Sequence, residues 1–303
     1  MTALFDRLVV TALPLVPRSL VRRVASRYVA GDTLDDALAT VRALSAEGAM
    51  ATLDILGESV TRPEQTEATR DQYLRMIDAI AASGLNANIS VKPTAVGLAI
   101  DPALALRNCT EICTRASAHG MFVRFDMEDS PYTEPTLRLV LELKAKFPTV
   151  GAVIQAYLKR SLRDLDRLIA ASINVRICKG IYVEPRTIAW KDRATVIANF
   201  AALVDKHLSA GCYVGIATHD EACVERALET IDRLKLGPDR YEFQMLLGVD
   251  PVLRRSLLDA GHRLRVYVPY GRDWYAYSTR RLKENPSIAR HVVRATLGFG
   301  PAV

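Results

Sequence analysis

Eight short apolar runs, separated by long segments with helical periodicity, occupy most of the chain from residue 49 onward. The runs are AMATLDIL (49–56), ANISVK (87–92), MFVRFDM (121–127), VGAVIQA (150–156), NVRICK (174–179), YVGIAT (213–218), YEFQML (241–246) and LRVYV (264–268). Amphipathic stretches at residues 64–82, 101–118, 133–146, 161–171, 187–210 and 221–234 lie between them, and Gly84 and Gly211 supply stop signals after two of these. Strands that alternate with helices must pair in parallel, because each crossover helix returns the chain to the same end of the sheet. Eight such units in about 250 residues predict an α/β protein with a closed (β/α)8 TIM-type barrel; a doubly wound open sheet is the alternative.

The first 48 residues precede the first strand and are expected to form an N-terminal helical arm, leaving 49–303 as the barrel domain. Within the arm, Leu34, Ala37, Leu38, Val41 and Leu44 share one face of a helix that Asp32 or Thr33 can cap. Residues 8–16 are apolar except for Thr11 and lead into a basic PRSLVRR segment. The stretch is too short to span a bilayer, so it is expected to pack on the protein body, with a membrane-surface helix as the alternative.

Charge narrows the partners. The 40 Lys and Arg residues exceed the 34 acidic ones by six, but they never run beyond two in succession. That spread argues against nucleic acid and leaves room for a phosphate-bearing cofactor or an acidic lipid surface. Five cysteines, of which only Cys109 and Cys113 are close in sequence and both within a helical pattern, read as reduced thiols of a cytoplasmic protein.

A barrel gathers its chemistry where the C-terminal ends of the strands meet. Lys92, Asp126, Gln155, Arg176 with Lys179, His219, Gln244 and Tyr267 stand at or near the ends of seven of the eight runs. Each alone has a plain structural reading, as a surface lysine, a helix cap or a satisfied amide. Together they point to a functional mouth, because strand ends otherwise favour Asn, Gly and Asp for turns.

The residue types exclude several chemistries. Five widely spaced histidines without a His-x-His pair do not suit a hydrolytic metal site. The Gly-x-Ser-x-Gly elbow of a serine hydrolase is missing, and Asp126 is the lone carboxylate among those strand ends, where glycoside hydrolysis needs two. Schiff-base chemistry on Lys92 or Lys179 stays open, as in a class I aldolase-type lyase, and so does a non-catalytic carboxylate-binding barrel. An anionic organic cofactor such as a flavin suits the donors and cations best. With no Gly-x-Gly-x-x-Gly after the first run, a dinucleotide would lie on the barrel rim.

Seven segments in order then resemble the proline dehydrogenase family: SVKPT (90–94), FDMED (125–129), VIQAYLKR (153–160), VRICKGIYVE (175–184), ATHD (217–220), YEFQMLLG (241–248) and YVPYG…WYAYSTRRLKENP (267–286). The resemblance implies a distorted barrel that binds FAD and oxidises L-proline to Δ1-pyrroline-5-carboxylate, with a membrane quinone as electron acceptor. The chain resembles the monofunctional members, in which no aldehyde dehydrogenase half is expected after residue 303, and this also implies a separate pyrroline-5-carboxylate dehydrogenase and allows peripheral contact with the inner face of the membrane.

Residue by residue, the resemblance gives Arg280, Arg281 and Lys92 to the substrate carboxylate, and Leu246, Tyr267 and Tyr277 to the substrate ring. Arg176 approaches flavin N5, Gln155 bonds the pyrimidine edge, Met127 touches the ring system, and Lys179, Gly180, Ile181, Thr218, His219 and Glu284 line the cofactor. Asp126 orients Lys92 or a tyrosine or takes part in proton removal, and Tyr182 gates the site. The family usually carries Ala where this chain has Ile181, which puts the local cofactor fit in question. Adjacent helical residues point roughly 100° apart, so Arg280 and Arg281 can reach one ligand only if the last helix, about 274–285, lies over the mouth. Residues 287–297 are then expected in the ordinary outer position.

Overall fold

The structure, a computed structural model, describes residues 22, 26–57, 60–275, 277 and 278. Its eight parallel strands close into a barrel in sequence order. These are β1 (Met50–Ile55), β2 (Ala87–Val91), β3 (Val123–Phe125), β4 (Val150–Gln155), β5 (Asn174–Cys178), β6 (Val214–Ala217), β7 (Tyr241–Leu246) and β8 (Leu264–Tyr270). Closure is made by β8 on β1, which pair from Met50 opposite Arg265 to Ile55 opposite Tyr270. Seven strands fall inside their apolar runs and β8 begins with its run and extends two residues beyond it, so the closed barrel stands and the open sheet is excluded.

Around the strands pack α1 (Leu34–Ala46), α2 (Pro63–Ser83), α3 (Pro102–Ala118), α4 (Ser130–Lys144), α5 (Ser161–Ala170), α6 (Arg193–Ser209), α7 (Glu221–Leu234) and α8 (Pro251–Asp259). Thr33 caps α1 through a reciprocal bond with Asp36, as the short hydroxyl-bearing residue before an apolar-periodic stretch should. The buried side of α1, Ala37, Leu38, Val41 and Leu44, joins the same apolar cluster as Leu53 of β1 and Val268 of β8. The arm helix therefore completes the layer outside β8 and β1.

One boundary differs from expectation. Residues 187–192 are not helical; α6 starts at Arg193, where Asp192 accepts the Thr195 backbone N–H at 2.8 Å. The preceding backbone is drawn to the β4–α5 connection, with Lys159 N–H donating to the Ile188 carbonyl and Trp190 N–H to that of Tyr157. Tertiary hydrogen bonds there replace the first turns that helical propensity favours.

The apolar residues of the strands alternate, and so do the polar ones. Tyr241, Phe243 and Met245 of β7 face the helices, while Glu242 and Gln244 point to the barrel axis, and both sets are buried. The outer face thus forms the main core. The inner face carries a column of charged and amide side chains in place of the usual branched aliphatic layers. Of the last helix only Trp274, Tyr275, Tyr277 and Ser278 are described, all helical. Its expected continuation over the mouth, and the outer segment 287–297, lie outside the described residues.

Candidate active site

At the C-terminal ends of the strands a cavity of about 1080 Å³ opens. Lys92, Asp126, Met127, Gln155, Arg176, Lys179, Gly180, Ile181, Tyr182, Thr218, His219, Leu246, Tyr267 and Tyr277 all line it. Every described residue singled out from the sequence is thus brought to one place. Arg280, Arg281 and Glu284 lie outside the described residues.

Residues at β2, β3, β5, β7 and β8 build the centre of the site. Asp126 follows β3; its Oδ1 accepts from Ser90 Oγ at 2.8 Å and from Arg176 Nη1 at 2.7 Å, and its Oδ2 from the Tyr267 hydroxyl at 3.0 Å. The Arg176 guanidinium lies 5.3 Å from the Tyr267 ring centroid, within cation–π range. Its Nε donates to Gln244 Oε1 at 2.5 Å. Burial, with the charges of Asp126 and Asp54 added, drives the Tyr267 hydroxyl well above its ordinary value, so it donates and does not ionise.

Asp126 was expected to orient Lys92 or a tyrosine. The tyrosine is Tyr267, whereas Lys92 forms a buried ion pair with Asp54 of β1. Asp54 was missed from the sequence because its run, 49–56, ends on the apolar pair Ile55 and Leu56 and offers no polar group at its tip. The available signal was period-two alternation: Thr52 and Asp54 are the polar, inward positions of a strand buried on both faces. Burial pushes the Asp54 carboxyl up and Asp126 adds to this, against the opposing pull of Lys92.

The β4–β6 side has a different character. Gln155 Nε2 donates to the Glu128 carbonyl at 2.9 Å, which leaves Oε1 as the amide's acceptor. Gly180 has φ of 103°, and a Cβ there would stand 2.1 Å from Tyr157 Cδ1, so only glycine lets the backbone approach that ring so closely. Lys179 Nζ pairs with Asp220 at 2.8 Å, as does Arg193 at 2.9 Å. Leu246 N–H donates to His219 Nε2 at 2.9 Å, which places the proton of the neutral imidazole on Nδ1. Ile181 is 39 % exposed on the rim, so its bulk is turned at least partly to solvent.

Tyr28 is a second residue missed from the sequence. The arm crosses the mouth here: Ala30 N–H donates to the Pro269 carbonyl and Gly271 N–H to the Gly31 carbonyl, both at 2.9 Å. This strap holds Tyr28 in a cluster with Val29, Leu56 and Tyr277, against the cavity. No periodicity links residue 28 to a mouth formed some two hundred residues later.

The site suits a flavin by the chemistry of its donor set: an amide acceptor on Gln155 for a ring N–H, the Arg176 guanidinium, and the Lys179 and Arg193 cations for phosphate. Among the described residues no group of His, Cys, Asp and Glu is arranged to hold a metal ion, and no helix is long and apolar enough to cross a membrane.

The sequence model of the family described as proline dehydrogenase matches residues 37–294. The proline dehydrogenase of Deinococcus radiodurans is 39% identical over 279 residues, 90% of each chain. Proline dehydrogenase 1 of Bacillus subtilis is 36% identical over 273 residues, again 90% of each. In fold, the chain matches the crystal structure of proline utilization A from Bdellovibrio bacteriovorus, inactivated by N-propargylglycine, with a TM-score of 0.82 at 23% identity. That match covers 87% of this chain and spans about a third (33%) of the larger protein. The chain belongs to the proline dehydrogenase family.

Proposed function

We propose that this protein oxidises L-proline to Δ1-pyrroline-5-carboxylate with FAD as the hydride acceptor, and that its electrons pass on to a quinone. The observation that carries this reading is the convergence of Lys92, Arg176, Tyr267 and Tyr277 on one cavity in a chain of this family. Bound FAD supplies a two-electron acceptor for the hydride on the substrate carbon next to nitrogen.

The chain's own groups do the rest. Lys92, aimed by Asp54, meets the substrate carboxylate, and Arg280 and Arg281 complete a clamp of forked donors in this proposal. Leu246, Tyr267 and Tyr277 present apolar surface to the five-membered ring. Only a neutral substrate nitrogen has a lone pair to stabilise the developing iminium, and cations gathered round the carboxylate favour that form through like-charge repulsion. Asp126 already accepts from Ser90, Arg176 and Tyr267, so its role is to orient the last two. Arg176 and Gln155 hold the cofactor ring, with Met127, Lys179, Gly180, Ile181, Thr218, His219 and Glu284 along it. Tyr182 gates the site against water.

The lyase reading needs a lysine amine directed at a substrate carbonyl, whereas Lys92 is ion-paired with Asp54 and Lys179 with Asp220. In the proposal the product goes to a separate dehydrogenase, and the protein is cytoplasmic with peripheral membrane contact through an arm spanning residues 1–48. The decisive experiment is a visible spectrum: a yellow protein bleached anaerobically by L-proline is expected. A colourless preparation, or a flavin left oxidised by proline, overturns the reading.

A further inference from the structure

Arg176 reaches the cavity from the third position of β5, one register step below the strand end. Its placement there is not left to its own backbone. Gln244 of β7 receives the Arg176 Nε–H on Oε1 at 2.5 Å, and its Nε2 donates to Glu242 Oε1, also at 2.5 Å. Glu242 is itself anchored by Arg265 Nε at 2.8 Å and Nη2 at 3.1 Å, and by the Tyr213 hydroxyl at 3.1 Å. A carboxylate takes only donors, so Glu242 dictates which end of the Gln244 amide turns toward Arg176. With the amide reversed, two N–H groups would face each other.

A second, independent feature makes room for this arrangement. β6 separates β5 from β7, and its residue beside Arg176 in the register is Gly215. A Cβ on Gly215 would stand 2.5 Å from Gln244 Nε2. The intervening strand is bare where the amide crosses it.

We propose that Gln244, held in one orientation by Glu242 and seated over Gly215, is a positioning residue that fixes the Arg176 guanidinium toward the flavin. The proposal rests on the flavin reading of the site and gives Gln244 a role that acts through Arg176. With Nε on Gln244 and Nη1 on Asp126 and Ser90, two corners of the guanidinium are pinned on a residue that lines the cavity. A cation so held stabilises the added charge of reduced flavin more than the oxidised form.

The test is the two-electron midpoint potential of the holoenzyme's flavin, with flavin content and thermal unfolding recorded beside it. Gln244→Leu conserves volume and removes the acceptor. Gly215→Ala displaces only the far end of a flexible side chain. Both are expected to weaken the hold on reduced relative to oxidised flavin, about tenfold for Gln244→Leu, a fall of about 30 mV, and less for Gly215→Ala. In an Arg176→Lys background, which lacks the Nε donor, Gln244→Leu is expected to add nothing. Potentials unchanged in both single variants, or a Gln244→Leu shift that persists undiminished in the Arg176→Lys background, overturn the positioning role while leaving the function intact. A wild-type protein with no proline-reducible flavin takes both down.

Discussion

Glu242 at the barrel floor and Asp54 nearer the mouth are both buried carboxylates on inward positions of neighbouring parts of one sheet, yet their protonation is biased in opposite directions. Burial pushes each upward. At Glu242 that push is outweighed by Arg265, by the Gln244 amide and by the charge of Arg124, and the carboxyl is held below its ordinary value. Asp54 has one lysine partner and a second carboxylate, Asp126, close enough to repel it, and ends above its ordinary value. The floor is a closed polar network: Arg265 also donates to the Ala51 carbonyl at 2.7 Å, and Arg124 to the carbonyls of Ala152 at 2.9 Å and Asn174 at 2.7 Å. The mouth is built of similar groups that line a cavity. Charges enclosed in a network brace a structure, and charges that border a cavity can also meet a ligand.

The floor should be the part that breaks hardest. Arg265→Met strands Glu242 without its bidentate partner and is expected to cost about 3–5 kcal/mol in urea unfolding at neutral pH. Adding Glu242→Leu to it should recover most of the loss, since a buried pair replaced by apolar groups is often near neutral. A double variant as unstable as the single would mean that packing, not the uncompensated charge, sets the cost.

His207 tests the floor through pH. Its Nε2–H donates to the Ile173 carbonyl at 3.0 Å just before β5, and burial, with the Arg124 charge, lowers it to about 4 from 6.5. The unfolded state then binds the extra proton first, so stability is full above pH 6.5 and lost as pH falls toward 4. The loss is at most about 3 kcal/mol. His207→Gln, followed by urea midpoints across that window, should flatten this slope.

At the mouth, Asp54→Asn should cost less than the floor variant, within about 2 kcal/mol, because its environment already leans toward the neutral acid. Its consequence should appear in KM for proline, raised about tenfold by a less well aimed Lys92, with the unfolding midpoint nearly held. A large stability loss without a KM change would erase the distinction between floor and mouth. Smallest of all, Arg226→Ala removes an exposed pair with Glu229 at 2.9 Å and should alter urea stability by less than about 0.5 kcal/mol.

The alternation of apolar runs with helical stretches carried the barrel, and strand-end positions carried Lys92, Asp126, Gln155 and Arg176 to its mouth. Legibility failed where a residue's meaning depends on another element. Asp54 lies inside an apolar run and gains significance only beside Lys92 from β2. Gln244 was visible as a strand end, but not its hold on Arg176. Tyr28 sits in an arm that nothing local directs to the mouth, and residues 187–192 read as helix until the 157–159 segment claims the backbone hydrogen bonds of Ile188 and Trp190.

By itself, the order of residues determined the number of strands, their parallel sense and the ring of polar groups at one end, because side-chain periodicity and the handedness of crossovers act locally along the chain. Only the tertiary structure decided which acid meets which base: that Lys92 pairs with Asp54 while Asp126 is shared by Ser90, Arg176 and Tyr267. Such pairings depend on barrel register and on distances across its axis. Those are settled when the last strand closes on the first, between residues more than two hundred positions apart.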